Sequence, residues 1–398
     1  MKILFWMFIG FDRHATSEHL LSAVIEQLCV AGNTVHILQK DTGGDLPPIP
    51  ERLSGYPVTT DVVSYKEAAK GNFAARYLEE LKYVRNCKKY ITSDYDAVFI
   101  QSNTVAGPAV KAIRKKLPKA VVTFNVQDIF PYNAVFGGKL RKNGLAFKYL
   151  AAMQRKGYKL SDHVITISED MKDTLVSDGT PARKVAVVYN WSYRDELYEN
   201  LDLTPVRQMF HSEYFNVVYA GNIGVMQNVD LLIEAAARMK EDSSVWFHII
   251  GNGLYKEKLE ARARDYGITN LSFWPMQPSE TAPLIYSAAD VNVIPLVKDV
   301  YKTALPSKTA TCLACQKPII FAIGKESRFG RKAMSEAGCM VVEADDAEEL
   351  VRAIRDAREK VREEKYTDRM GVFFQKEFGR TENSRRYAEI ITRNDKNR

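Results

Sequence analysis

The chain has 398 residues, too many for one ordinary hydrophobic core, so its length predicts two domains. With 46% hydrophobic and 26% charged residues it is not a disordered or low-complexity protein, and it has no run of about eighteen apolar residues that could span a membrane. The net charge of +7 is local: between Lys111 and Lys159 twelve basic residues face a single acid, Asp128.

The N-terminal "MKILFWMFIGF" opens like a secretory leader. Its apolar run is short and lacks a small-residue cleavage site, so it reads as a buried first strand and the chain as cytoplasmic. Further strands are predicted near 34–38, 97–101, 120–124, 163–167 and 185–189, with helices near 16–31, 66–92, 105–116, 140–160 and 168–177. Runs such as "AVFIQ", "AVVTF" and "HVITI" are apolar on both faces, as parallel strands between two helix layers must be. Residues 189–214 are polar and aperiodic and read as a linker. Strands then resume near 215–219, 245–250, 271–274, 291–294, 318–321 and 339–342. This alternation predicts the α/β class, with two doubly wound Rossmann-like domains facing a cleft. Their expected limits are 1–195 and 196–379, with a C-terminal helix over about 380–398.

Two glycine turns follow strands of the second half: Gly221–Asn222 with Gly224, and Gly251–Asn252–Gly253. Neither is a G-x-G-x-x-G, which argues against a dinucleotide. Glycine there allows close backbone approach to a ligand, and a helix start favours an anion. In "KTALPSK", Pro306 suits a first helical turn and Ser307 or Thr303 can cap it, with no ligand needed. The sharper reading notes Lys302 and Lys308, cations at a helix start, which cost ~0.3–1 kcal/mol unless an anion is bound. The two turns and this lysine together predict a phosphorylated ligand.

Asp128 follows a first-domain strand, and either orients and deprotonates an acceptor hydroxyl or pairs with a neighbouring lysine. Asp94 and Asp96 form a D-x-D, but in a polar loop feeding a strand, away from strand C-terminal ends. No other cluster suggests a metal, so neither metal nor cofactor is expected. The five cysteines are scattered, and Cys312–Cys315 lacks the second pair that a zinc site needs, so both read as packing residues. The basic tract, Lys111–Lys159, suits an anionic membrane surface, nucleic-acid phosphates or plain solvation. The membrane is the partner carried forward, and nucleic acid is not.

"YAGNIGVMQNVDLLIEAA", "IIGNGLYKEKLEA", "LIYSAADVNVIPL", "LPSKTATCLACQKPII" and "EAGCMVVEADDAEELVRAI" resemble, in order and spacing, the retaining family-four glycosyltransferases of the GT-B fold. The likeness leans to the bacterial exopolysaccharide, capsule and O-antigen branch, such as N-acetyl-fucosaminyl transferases. In the first half, "VQDIFPYNAV" is similar to that branch's "VRDLWPDSA". The resemblance implies sugar transfer from a nucleotide-diphosphate donor, most simply UDP-linked, to a lipid-diphosphate-linked saccharide, by an enzyme held at the inner face of the plasma membrane. Gly251, Asn252, Gly253 and Met276 would hold the nucleotide. Gly221, Asn222, Pro306, Ser307 and Lys308 would hold the diphosphate, and Phe11, Arg13, His14 and Asp128 would lie by the acceptor. Thr303 and Thr311 stand where many relatives carry two glutamates. That departure keeps two rivals in view: an inactive nucleotide-binding partner of an active transferase, and a nucleotide-sugar epimerase.

Overall fold

A computed structural model describes residues 1–12, 17–66, 73–362 and 367–394. The chain forms two compact units: Met1–Asn190 with Arg380–Arg398, and Trp191–Gly379. The first holds a sheet of β1 (Lys2–Trp6), β2 (Thr34–Asp41), β3 (Val58–Ser64), β4 (Ala97–Ile100), β5 (Val121–Val126), β6 (His163–Thr166) and β7 (Val185–Val187), in the order β3-β2-β1-β4-β5-β6-β7. The second holds β8 (Phe215–Ala220), β9 (Val245–Ile250), β10 (Leu271–Trp274), β11 (Val291–Pro295), β12 (Ile319–Ala322) and β13 (Met340–Val342), in the order β10-β9-β8-β11-β12-β13. Every pairing described is parallel. Each unit is therefore a doubly wound sheet whose strand order reverses once, at β1/β4 and at β8/β11.

β4 and β5 are buried along their whole length, as strands apolar on both faces demand. The sequence reading had no strand at β3. It is an edge strand, half-exposed over most of its length, and its "VTTDVVS" lacks the continuous apolar run of its neighbours. The long helix expected at 66–92 covers Phe73–Cys87 among the described residues, and the one expected from 140 begins at Leu145. This second helix, Leu145–Leu160, crosses the helix Ala106–Lys116 at a glycine pair. A Cβ on Gly157 would lie 2.7 Å from the Cα of Gly107. That close approach seats the helix firmly and leaves its opposite face outward.

The C-terminal helix Arg380–Thr392 packs on the first sheet through buried polar groups. Tyr387 Oη donates to Asn125 Oδ1 at 3.1 Å and accepts from Gln127 Nε2 at 3.2 Å, while Asn383 Nδ2 donates to the Tyr189 carbonyl at 3.1 Å. A buried polar side chain in a sheet core is tolerated because each partner satisfies another. Tyr387→Phe is expected to lower the stability of the first unit by about 1 kcal/mol, and Tyr387→Ala by about 3–5 kcal/mol. Denaturant unfolding followed by a probe in each unit should show the loss in the first unit's transition.

Candidate functional site

The second unit's order reversal puts the turn after β8 beside the segment after β11. Open α/β sheets bind ligands outside the strand C-termini at this place. Gly221, the first residue after β8, has φ +142°, a conformation that favours glycine. A Cβ here would lie 2.6 Å from Lys308 Nζ, so the absent side chain is the space the ammonium occupies. Lys308 is half-buried, its Nζ 3.8 Å from the centre of the Tyr219 ring. The Tyr219 hydroxyl donates to the Asn222 carbonyl and ties the turn, and the buried Tyr286 hydroxyl donates to the Ala220 carbonyl at 3.2 Å.

Among the described residues no carboxylate pairs with Lys308. Burial pulls its ammonium down to about 8, slightly opposed by the Cys312 thiol. Contact with an aromatic face stabilises a cation by about 0.5–2 kcal/mol, which does not replace an opposite charge. Beside it, Thr309 Oγ1 is buried without a partner among the described residues. The half-buried ammonium is a setting that rewards an anion.

Backbone packing accounts for the second glycine turn. A Cβ on Gly251, at φ +153°, would stand 1.9 Å from the Gly221 carbonyl oxygen, and one on Gly253 would stand 2.0 Å from that of Ile223. The sheet ladder runs on through both turns: Gly221 N–H donates to Ile250 O at 2.9 Å, Ile223 N–H to Asn252 O at 2.9 Å and Gly251 N–H to Trp274 O at 3.0 Å. Asn222 and Asn252 leave their side chains exposed, Asn222 donating to Gln227 Oε1 at 3.3 Å. Met276 is exposed beyond β10. Sequence reasoning missed Lys256, whose Nζ donates to the Gly251 and Trp274 carbonyls at 3.2 and 3.1 Å and ties the second turn to the end of β10. A lysine opening the helix after a glycine turn was the available signal.

Around Lys308 several expectations are corrected. The helix starts at Thr309 and has six residues, with Lys308 as its N-cap and no side-chain cap. Pro306 and Ser307 precede it, and Ser307 is exposed. Thr303 does not cap it: the side chain is buried, and its Oγ1 donates to the Val300 carbonyl at 3.1 Å. Thr311 is buried with its Oγ1 3.4 Å from Ser192 Oγ. Both hydroxyls are engaged within the protein. Lys302 pairs with Asp299 at 2.7 Å.

In the first unit, Asp128 is exposed after β5 and has no basic partner among the described residues, which removes the lysine-pairing alternative. Surrounding protein still pushes its carboxyl above the ordinary carboxylate range. Phe11 is 1% exposed, so its ring belongs to the core and not to an acceptor surface. Arg13 and His14 lie outside the described residues. The neighbouring Asp12 accepts from Thr42 N–H, Thr42 Oγ1 and Gly44 N–H at 2.9, 2.6 and 3.0 Å; burial works against its ionised form, and these bonds hold its carboxyl below the usual range. Asp94 pairs with Lys2, and Asp96 accepts from the Lys2 N–H at 2.7 Å, so the D-x-D fastens β1. The five cysteines are buried and free, and burial pushes the Cys315 thiol up to about 12.

Residues 18–191 match Glycosyltransferase Family 4, and residues 214–359 match Glycosyl transferases group 1. A relative in Escherichia coli (strain K12), WcaI, named as a colanic acid biosynthesis glycosyl transferase, is 28% identical over 61% of this chain and 61% of its own. WbjE of Pseudomonas aeruginosa, named as a glycosyltransferase, is 23% identical over 52% of each chain. The match thus spans about three fifths of one relative and half of the other. The solved structure of Anabaena HepE, in complex with UDP and glucose, superposes with a TM-score of 0.72 at 15% identity, covering 98% of this chain and 99% of that one. The chain has the two-domain GT-B fold, and its two halves are similar to Glycosyltransferase Family 4 and to Glycosyl transferases group 1.

Proposed function

We propose that the protein is a glycosyltransferase that moves a hexosyl or acetamidohexosyl group from a UDP-linked donor to a lipid-linked saccharide during bacterial surface polysaccharide synthesis. The observation that carries this reading is Lys308, an unpaired, half-buried ammonium held against the Gly221 turn where β8 and β11 part. The names of WcaI and WbjE, and the UDP and glucose bound to HepE, support the class of reaction and donor.

The chemistry asks for placement more than for a nucleophile. Holding an acceptor hydroxyl against the anomeric carbon supplies up to ~7–11 kcal/mol of the barrier. As the glycosidic bond to the diphosphate breaks, negative charge grows on the leaving oxygen, and a fixed cation there stabilises the transition state more than the ground state. Asp128, with its raised carboxyl, is the candidate that accepts the proton of the acceptor hydroxyl. Retention of configuration is what the resembled family implies. The basic tract supports attachment to an anionic membrane, where a lipid-linked acceptor would reside.

A second reading, a nucleotide-binding partner without activity, draws on Thr303 and Thr311, both engaged internally where relatives carry glutamates. Acceptor-dependent UDP release by the purified chain separates the two, and UDP-sugar interconversion without acceptor would instead identify an epimerase.

Lys308→Ala is expected to weaken UDP binding by about 10–100-fold, the loss of one charge-assisted contact, read by calorimetry. Wild-type affinity should hold below pH 8 and fall above it, because the ammonium near 8 deprotonates there, and the variant should lack that step. Asp128→Asn should lower kcat by about 10²–10⁴ while leaving UDP affinity unchanged. Changing the exposed Lys139, Arg141, Lys142 and Lys148 to Gln should cost about 1 kcal/mol each in binding to anionic vesicles, measured by cosedimentation.

A further inference from the structure

The helix Leu145–Leu160 buries Phe147, Leu150, Ala151, Gln154, Gly157 and Tyr158. Its other face exposes Leu145, Lys148, Tyr149, Ala152 and Lys156, positions that fall on one stripe at helical spacing. Two of these are large and apolar: Leu145 is 87% exposed and Tyr149 is 61% exposed, one turn apart. On the adjoining helix Phe73–Cys87, Leu78 is 57% exposed. It sits beside Tyr77, whose hydroxyl burial pushes up and Tyr149 raises further. The exposed cations Lys139, Arg141 and Lys142 precede the stripe, and the helix has no acid in its first turn.

A solvated basic helix has no use for a leucine exposed to this degree beside a tyrosine. A phosphate backbone would use the cations but not Leu145. A second copy laid face to face would bring Lys148 and Lys156 against their own counterparts, a like-charge arrangement. An anionic bilayer uses everything present: lipid takes the leucine, the headgroup layer takes the amphipathic tyrosine, and the lysines extend to the phosphates.

We propose that the outward face of the helix Leu145–Leu160 lies in the membrane interface, with Leu145 and Tyr149 inserted among the lipids. This rests on the membrane reading above but goes further, since charge alone would hold the protein on the surface without penetration. Insertion fixes which face of the first unit meets the bilayer and keeps part of the binding at high salt, where the electrostatic part is screened.

The test uses the full chain and vesicles of phosphatidylcholine with phosphatidylglycerol. In Leu145→Trp, indole emission should shift to the blue on vesicle addition and be quenched by lipids brominated high on the acyl chain. The double variant Leu145→Ser/Tyr149→Ser should bind these vesicles about tenfold or more weaker, with UDP affinity unchanged as the control for folding. Vesicle binding of Leu145→Trp without shift or quenching would overturn insertion and leave the charge-only membrane reading standing. Failure of the wild-type chain to bind vesicles would overturn both. A wild-type dimer in sedimentation that the double variant abolishes would assign the face to a second copy, and single-stranded RNA binding lost in the double variant would assign it to nucleic acid; either overturns the proposal.

Discussion

At the strand reversal of the second unit stands a lysine that pairs with no carboxylate among the described residues. An ammonium that is half-buried and displaced to about 8 is a cost to the folded chain, and no carboxylate among the described residues offsets it. The structure instead spends a tyrosine ring beneath the charge, a glycine beside it and a tyrosine hydroxyl on the turn that carries that glycine. Groups arranged in this way around a charge suit the anion site proposed here. The strand reversal at β8/β11 makes the arrangement available, because it parts two neighbouring strands' exits and leaves room between them.

A second constraint comes from the two glycine turns. Gly251 and Gly253 are needed because the Gly221 and Ile223 carbonyls stand where their Cβ atoms would be. The two loops form one layer, continuous with the sheet through ladder bonds, and Lys256 ties the second turn to the end of β10. On the proposed reading a firmly held layer matters for Lys308, because an electrostatic contact stabilises developing charge only if it is already in position.

Much of this was legible in the chain. Strands apolar on both faces announced the sheets, and the glycine turns and Lys308 that the sequence singled out do lie together in the second unit. The edge strand β3 was not legible, because a half-exposed strand of Thr, Asp and Val carries a weak period. The helix start was misplaced because Pro-Ser-Lys carries the residue types of an N-terminus, whereas the tertiary fold delays the helix to Thr309. Phe11 looked like a loop residue near a ligand and is core, since its N–H donates to Gln39 Oε1 at 2.8 Å and draws the loop inward. The Tyr387–Asn125 contact joins residues from opposite ends of the chain, which local pattern cannot connect.

The threonines at 303 and 311 carry the last step. Where relatives place carboxylates, this chain has short hydroxyls whose bonds close on Val300 and Ser192. A glutamate at either place would add negative charge near the proposed diphosphate site and compete for Lys308. Their absence leaves Lys308 without an internal competitor, so its charge stays available to the ligand. The same absence removes acceptors that would grip donor hydroxyls. On the proposed reading, donor recognition would lean on the phosphate end of the molecule more than on its ribose, and the balance of binding would shift toward the group whose charge changes during transfer.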